Sequence, residues 1–304
     1  MKNKNFLLLI IIYFLSLFLR LFKITDYSNL LPILLVSLIP ILIYFLIKEI
    51  NQKAHKTAII SAIIAAINPY LIYFSRYNEK SIIFTFGLLM FFLFFFKYFN
   101  LKLKSYLFYS LFVLIISIFY GLFFNTELKN LNFLNYSRPE TEIQTIVKET
   151  NTLDNQIFHH QFLFSLRNFS SHYFNYFSPR FLIFEGDWQH TQYSNPYMGV
   201  ILYPSLLFLI IGLFFALSQQ KLDKLNLFFV LWLLIAPIPA ALTQNSINSS
   251  VSLPFSIPLI YFISLGIYFI TNKYKSQILN IFIIGTYLIS FLYYADLYLN
   301  HFIK

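Results

Sequence analysis

Long apolar runs separated by short polar connections dominate the chain. A helix needs roughly 20 mostly apolar residues to cross a bilayer. Nine runs, some of them short, approach that length: 6–22, 30–47, 57–74, 81–97, 105–124, 199–217, 225–242, 253–271 and 277–295. This pattern predicts an all-α fold, a polytopic transmembrane helical bundle of about nine spans.

One long polar segment interrupts this pattern and predicts three regions. Residues 1–124 hold five N-terminal transmembrane helices, 125–198 form a loop region, and 199–304 hold four C-terminal transmembrane helices. Within the loop, Pro139 followed by Glu140 predicts the start of a short amphipathic helix. The aromatic stretch 158–177 predicts a second short helix, lying in the membrane interface.

Composition narrows the class of protein. The chain is 58% hydrophobic and only 11% charged, whereas soluble domains carry roughly 25% charged residues. The absence of cysteine excludes disulfides and thiolate metal sites. The net charge of +10 comes from basic residues scattered singly between apolar runs, which indicates a lipid bilayer as partner and no nucleic acid.

The distribution of charge predicts an orientation. With the N-terminus in the cytoplasm, the whole net charge of +10 falls on the inner connections, while acids and bases balance on the outer side. Positively charged connections face the cytoplasm. We therefore expect a multi-pass protein of the inner (cytoplasmic) membrane with segment 125–198 outside. One small-residue face, Ser61, Ala62, Ala65 and Ala66, is the only clear site for close helix packing.

Two charged segments lie at the expected outer face. The first runs from Asn68 to Lys80 and contains Arg76 and Glu79. Charges so close to hydrocarbon are costly and are often functional. The alternative is an interfacial cluster of long side chains that marks a helix end.

The second charged segment, 177–190, contains Arg180, Glu185, Asp187 and His190. The two carboxylates and the imidazole could collect a divalent cation, although such residues are more often solvated in turns, and no cofactor is firmly implied. No nucleophile-elbow, P-loop or dinucleotide-binding pattern occurs. The middle of each predicted span lacks charge, which argues against an ion-coupled carrier.

Three ordered stretches carry a family resemblance: Asn68 to Glu79, His172 to Gln189, and Ala236 to Thr243. Together they resemble the GT-C class of membrane glycosyltransferases, in the bacterial branch related to protein O-mannosyltransferases and the lipid A aminoarabinose transferase. The resemblance implies transfer of a sugar from a polyprenyl-phosphate donor to an acceptor glycan, lipid or protein of the cell envelope, at the extracytoplasmic face.

The resemblance also implies residue roles. Arg76, assisted by Lys80, would contact the donor phosphate, and the loop with Arg180, Glu185, Asp187 and His190 would face the substrate. The family's catalytic aspartate lies in a long first outer loop, but here that loop is short and Asp26 is its sole acid. Asp26 or Glu79 would then be the base. The alternative is a catalytically inactive scaffold that binds lipid-linked sugar or a partner protein.

Overall fold

The computed structural model describes residues 2–22, 30–77, 79–124, 161–189, 197–219, 223–243 and 245–298, and these residues contain helices but no strand. The helices are α1 (Lys2–Leu21), α2 (Leu30–Ile50), α3 (His55–Ala66), α4 (Pro69–Tyr77), α5 (Glu79–Leu101), α6 (Lys104–Phe124), α7 (Gln161–Asn175), α8 (Ser205–Leu217), α9 (Lys224–Ile235), α10 (Ile238–Ala241), α11 (Ser249–Ser252), α12 (Ser256–Tyr274) and α13 (Gln277–Asp296). A π-helical turn covers Arg180–Phe184, and a 3-10 turn, Leu253–Phe255, joins α11 to α12. The predicted helix that begins near Pro139 lies outside the described residues.

Five helical segments are long and apolar enough to cross a membrane: Leu30–Ile50, Lys80–Leu101, Lys224–Ala241, Ser249–Tyr274 and Gln277–Asp296. The pair α3 and α4 counts as a sixth if it forms one broken span, and it bends by 47°. Three shorter apolar segments, Asn5–Leu21, Lys104–Phe119 and Ser205–Leu217, complete the set within the described ranges. The described part of the chain is therefore all-helical, and its apolar helices are those of a membrane protein.

Two of the predicted runs differ clearly from the helices of the structure. The run 57–74 is divided between α3 and α4, because Pro69 has no amide hydrogen with which to continue the helix. The run 199–217 is helical only from Ser205. Residues 199–201 instead donate backbone hydrogen bonds to carbonyls of the π-helical turn, for example from Gly199 N to Ile183 O at 2.7 Å.

Small residues allow close contacts between helices of the bundle. The predicted face of α3 is buried, and α3 packs against α2 and α12. A second contact of this kind was not expected from the sequence. A Cβ atom added to Gly212 of α8 would lie 1.9 Å from the carbonyl oxygen of Phe262, and one added to Gly266 of α12 would lie 2.0 Å from that of Phe208. The backbones of α8 and α12 therefore touch.

Hydrogen bonds between connections define the two ends of the bundle. At one end, Asn51 Nδ2 donates to Asp223 Oδ2 at 2.8 Å, and Asn100 Nδ2 donates to Glu49 Oε1 at 2.9 Å. We call this the lysine end, comprising residues 48–56, 97–104, 219, 223–224 and 268–275. The opposite end, the arginine end, comprises residues 16–22, 65–77, 161–189, 245–256 and 290–298.

Candidate functional site

The site at the arginine end is built around the break between α3 and α4. The break leaves the last carbonyls of α3 without helical partners. Arg20 of α1, which is completely buried, supplies donors: its Nη1 bonds Ala66 O at 3.2 Å and its Nη2 bonds Ala65 O at 3.5 Å. Ser16 holds the same guanidinium through its hydroxyl, 2.6 Å from Nη1. A cation from a neighbouring helix thus caps the C-terminus of the broken one.

Asn68 starts the second half of the broken helix. Its Oδ1 accepts a hydrogen bond from Leu71 N at 3.0 Å, the usual arrangement of a helix N-cap, with Pro69 in the first helical position. The amide nitrogen of Asn68 donates to Val200 O at 3.3 Å. The sequence Asn-Pro therefore both ends α3 and directs α4 along the arginine end. Discontinuous membrane helices commonly form binding sites, because their ends present polar backbone groups within the membrane.

Arg76 lies in the last turn of α4 and links it to α1 and α13. Its Nη2 donates to Phe22 O at 2.5 Å, and its guanidinium carbon lies 5.0 Å from the centre of the Tyr298 ring. Tyr298 stacks on Tyr294, with ring centres 5.6 Å apart. Arg76 is also close enough to Arg20 for the two cations to repel each other. The arginine end thus concentrates positive charge among aromatic rings.

An apolar cavity of about 200 Å³ adjoins these cations. It lies between α1, α4 and α13, and Phe18, Ile72 and Phe291 form part of its walls. Phe22 and Tyr298, which both contact the Arg76 guanidinium, line it as well. Arg76 is therefore at the rim of a hydrocarbon-lined space, next to side chains such as Phe18 that are exposed on the surface of the bundle.

Arg180 and Glu185 of the loop 177–190 form an ion pair. Arg180 Nε and Nη2 both reach Glu185 Oε2, at 2.9 and 2.7 Å. The Arg180 guanidinium also lies over the Trp188 ring, 4.3 Å from its centre. Both side chains of the pair are about half exposed, at 53% and 45%, so the pair contributes little to stability. The Glu185 carboxylate is engaged with Arg180 and is not arranged as a general base here.

Asp187, two residues further on, is completely buried, and its carboxylate accepts hydrogen bonds from backbone amides. Its Oδ2 accepts a hydrogen bond from Ser249 N at 3.0 Å, and its Oδ1 accepts one from Gln189 N at 3.1 Å. A carboxylate at the first amide of a helix is favourable, because the amides there carry partial positive charge. Asp187 thus fastens the loop to the start of the continuous helix that runs through α11 and α12.

Two tyrosines complete this junction. Tyr70 of α4 donates to Ser249 O at 2.5 Å, and Tyr176 accepts a hydrogen bond from Asn248 N at 2.8 Å. Next to it, His172 of α7 is half-buried, and burial lowers its pKa despite opposing hydrogen bonds with the backbone of Thr243 and Asn245. The three stretches of the family resemblance therefore meet at the arginine end, through Tyr70, through His172 and Asp187, and through Thr243.

The structure describes some of the predicted site residues and not others. Asp26 and His190 lie outside the described residues, and Glu79 is placed only as the first residue of α5. Lys80 is exposed. For the divalent cation, the part of the chain that the structure describes contains no group of three potential histidine, cysteine or carboxylate ligands. The structure brings Arg76 to the cavity and Arg180, Glu185 and Asp187 to the loop junction.

Arg20 is the principal residue that sequence reasoning missed. In the sequence it is only a basic residue near the end of the first apolar run, 6–22. Its partners Ala65 and Ala66 lie in another helix, so no local pattern shows the contact. The available signal was an arginine in the last turn of an apolar run, 6–22, that contains no other charged residue.

No family model, curated protein or solved structure matches this chain.

Proposed function

We propose that the chain crosses the inner (cytoplasmic) membrane nine times, with the lysine end in the cytoplasm. The nine spans are α1, α2, α3 with α4, α5, α6, α8, α9 with α10, α11 with α12, and α13. Strict alternation of these segments agrees with the hydrogen bonds that group the connections into two ends. The orientation follows from the lysines, since basic connections stay in the cytoplasm. The arginine end and segment 125–198 then face the cell envelope.

We further propose that the arginine end binds a polyprenyl-phosphate-linked sugar and transfers the sugar, as expected of a GT-C glycosyltransferase. The observation that carries this proposal is the apolar cavity with Arg76 at its rim. A polyprenyl chain is pure hydrocarbon that ends in a phosphate. A hydrocarbon-lined space beside a guanidinium in the outer headgroup region offers complementary surfaces to both parts, since arginine binds phosphate through paired hydrogen bonds.

The proposed reaction needs a base for the acceptor and positive charge for the departing phosphate. The acceptor hydroxyl must lose its proton as it attacks the anomeric carbon, and a carboxylate, Asp26 or Glu79, takes that proton. The bond between the anomeric carbon and the phosphate oxygen breaks, and the negative charge that develops on the lipid phosphate is stabilised by Arg76, with Lys80 nearby in sequence. Glu185 and Asp187 are not the proposed base, because their carboxylates already hold Arg180 and the backbone of Ser249.

A non-catalytic lipid-phosphate-binding scaffold is the second candidate. The observation that favours it is the commitment of both described carboxylates of the loop to structural hydrogen bonds. Such a protein would bind the lipid-linked sugar, or a partner protein, at the same cavity without transferring the sugar.

Purified full-length protein incubated with radiolabelled polyprenyl-phosphate sugars and envelope extracts as acceptor distinguishes the two candidates. The enzyme should release free polyprenyl phosphate, and Asp26→Asn or Glu79→Gln should abolish that release without reducing lipid binding. Binding that persists without any transfer or hydrolysis would favour the scaffold.

Arg76→Gln tests the shared premise of both candidates. Because a hydrogen bond to a charged group contributes about 1.5–3 kcal/mol, we expect the affinity for polyprenyl phosphate to fall about 10- to 100-fold. Arg167→Gln is the matched control, since Arg167 is exposed on α7 at the same end. If both variants bind equally well, the phosphate is not held by Arg76.

A further inference from the structure

A second cavity of about 470 Å³, more polar than the first, lies at the lysine end. Its walls come from the connection between α2 and α3, the end of α8, the start of α9 and the side of α12. Lys53, Lys56, Thr57, Asn226 and Tyr261 are among its lining residues. The cavity is at the opposite end of the bundle from the proposed transferase site, so its role is independent of that proposal.

Asn51 lines this cavity and hydrogen-bonds two of the segments that form it. Its amide nitrogen donates to Asp223 Oδ2 at 2.8 Å, which ties the α2–α3 connection to the start of α9. Its Oδ1 accepts a hydrogen bond from Lys53 N at 3.0 Å, which fixes the backbone that carries the two lysines. The cavity is thus built from connections that are hydrogen-bonded to one another.

The charges around the cavity favour an anion. Lys53 and Lys56 line it, and neither ammonium has a carboxylate within ion-pair distance in the ranges that the structure describes. Asp223 is the acidic residue of the lining and is engaged by Asn51. His55 also lines the cavity, and its Nδ1 pairs with the Tyr44 hydroxyl at 3.2 Å. The lining therefore carries two lysines against one carboxylate, that of Asp223, which is hydrogen-bonded to Asn51.

The buried wall of the cavity adds hydrogen-bond donors. Asn226 is 5% exposed, and its Oδ1 accepts the Tyr261 hydroxyl at 2.6 Å. No described residue accepts a hydrogen bond from the amide nitrogen of Asn226, so both of its N–H donors are available to the cavity that it lines. Thr57, 3% exposed, likewise has a hydroxyl that bonds no described residue. Both residues line the cavity and can donate hydrogen bonds to a ligand there.

We propose that this cavity binds a phosphate-bearing ligand, with Lys53 and Lys56 meeting the phosphate charge and Asn226 and Thr57 donating hydrogen bonds to its oxygens. Phosphate oxygens accept hydrogen bonds and attract cations, which matches the donors present. The volume lies within the range of small-molecule sites. Two sources carry this chemistry: the headgroup of an anionic phospholipid, which basic pockets between membrane helices bind, and a soluble phosphate ester.

Thermal unfolding of the full-length protein in a non-ionic detergent tests the proposal and separates the two sources. The probes are short-chain phosphatidylglycerol, glycerol 3-phosphate, inorganic phosphate and, as a zwitterionic control, short-chain phosphatidylcholine. We expect at least one of the first three probes to raise the unfolding temperature by about 2–4 °C, whereas phosphatidylcholine should not. If phosphatidylglycerol is the only probe that stabilises the protein, the ligand is a lipid headgroup. If glycerol 3-phosphate or inorganic phosphate also stabilises it, the ligand is a soluble phosphate ester.

The double variant Lys53→Gln with Lys56→Gln should bind the active probe at least about tenfold more weakly. The matched control is Lys102→Gln with Lys104→Gln, which removes the same charge from exposed positions of the lysine end outside the cavity. Asn226→Asp, which places a carboxylate in the wall, should also abolish the shift. The proposal is overturned if no anionic probe stabilises the protein, or if the two double variants lose binding equally.

Discussion

Arg20 Nη1 donates a hydrogen bond to the carbonyl oxygen of Ala66, although 46 residues separate the two in sequence. The contact caps the C-terminus of α3 from a neighbouring helix, at the point where the chain bends by 47° into α4. It couples the first helix of the protein to the break on which Arg76 depends for its position. Within the described residues, no carboxylate pairs with the buried guanidinium, so backbone carbonyls and Ser16 hold it.

Replacing Arg20 by methionine should lower the free energy of unfolding by about 1–3 kcal/mol, since the carbonyl of Ala66 loses its donor and that of Ala65 keeps only the long bond from Asn68 N at 3.4 Å. Thermal unfolding in detergent, followed by tryptophan fluorescence, measures the effect. Arg167→Met is the control, because Arg167 is exposed, and its effect should be within about 0.5 kcal/mol. An unchanged or raised stability of Arg20→Met would mean that desolvation of the guanidinium outweighs its hydrogen bonds.

Alanine at Gly212 should destabilise the bundle, because the added Cβ would lie 1.9 Å from the carbonyl oxygen of Phe262 and force α8 away from α12. Overpacking of this kind costs about 1–3 kcal/mol. Gly285→Ala on α13 is a matched control with no atom within 4 Å of the new Cβ. The better helix propensity of alanine should raise stability there by up to about 1 kcal/mol. Effects of the same sign at both positions would contradict the close contact.

Replacing the neighbouring acids Asp187 and Glu185 by their amides should reduce stability to different degrees. Asp187→Asn removes the charge that accepts hydrogen bonds from Ser249 N and Gln189 N in a buried position, and we expect a loss of about 1–3 kcal/mol. Glu185→Gln weakens an exposed pair, with an expected loss of about 0–1 kcal/mol. Limited proteolysis of the loop measures both, and faster cleavage in Glu185→Gln than in Asp187→Asn would refute the assignment.

Stability should depend on pH through His172. Burial lowers the pKa of His172 below its usual value of about 6.5. As the pH falls below about 6.5, the unfolded chain takes up a proton while the folded side chain stays neutral, so the free energy of unfolding decreases until the pH passes the folded pKa. Unfolding temperatures between about pH 8 and 5 should therefore fall less steeply for His172→Gln than for the wild type. Parallel curves would show that His172 titrates equally in both states.

Some features of the fold were predictable from the sequence. The apolar runs predicted the positions of the long helices. Hydropathy is a sum over the residues of one segment, so this prediction does not depend on distant residues. The aromatic stretch 158–177 contains α7, and the small face of α3 is buried as its spacing indicated. The glycine contact between α8 and α12 was missed, because single glycines at Gly212 and Gly266 form a close contact only after the two helices are paired.

The candidate site was predictable in part. Position in the chain indicated that Arg76 lies at a helix end, but the resemblance assigned Glu185 and Asp187 jointly to a substrate loop. In the structure one carboxylate pairs with Arg180, and the other holds the start of a helix 62 residues away in sequence. The roles of Asp26, Glu79 and His190 stay predictions.

By itself, the sequence determined that this protein is a helical membrane protein and where its lysines fall, because composition, hydropathy and charge are properties of each segment alone. The tertiary structure alone decided which carbonyls Arg20 caps, which residues surround Arg76, and that Lys53 and Lys56 share a cavity with Asn226. These relationships join different helices. They depend on how the helices pack and where the chain breaks at Pro69, and no local pattern of residues encodes that arrangement.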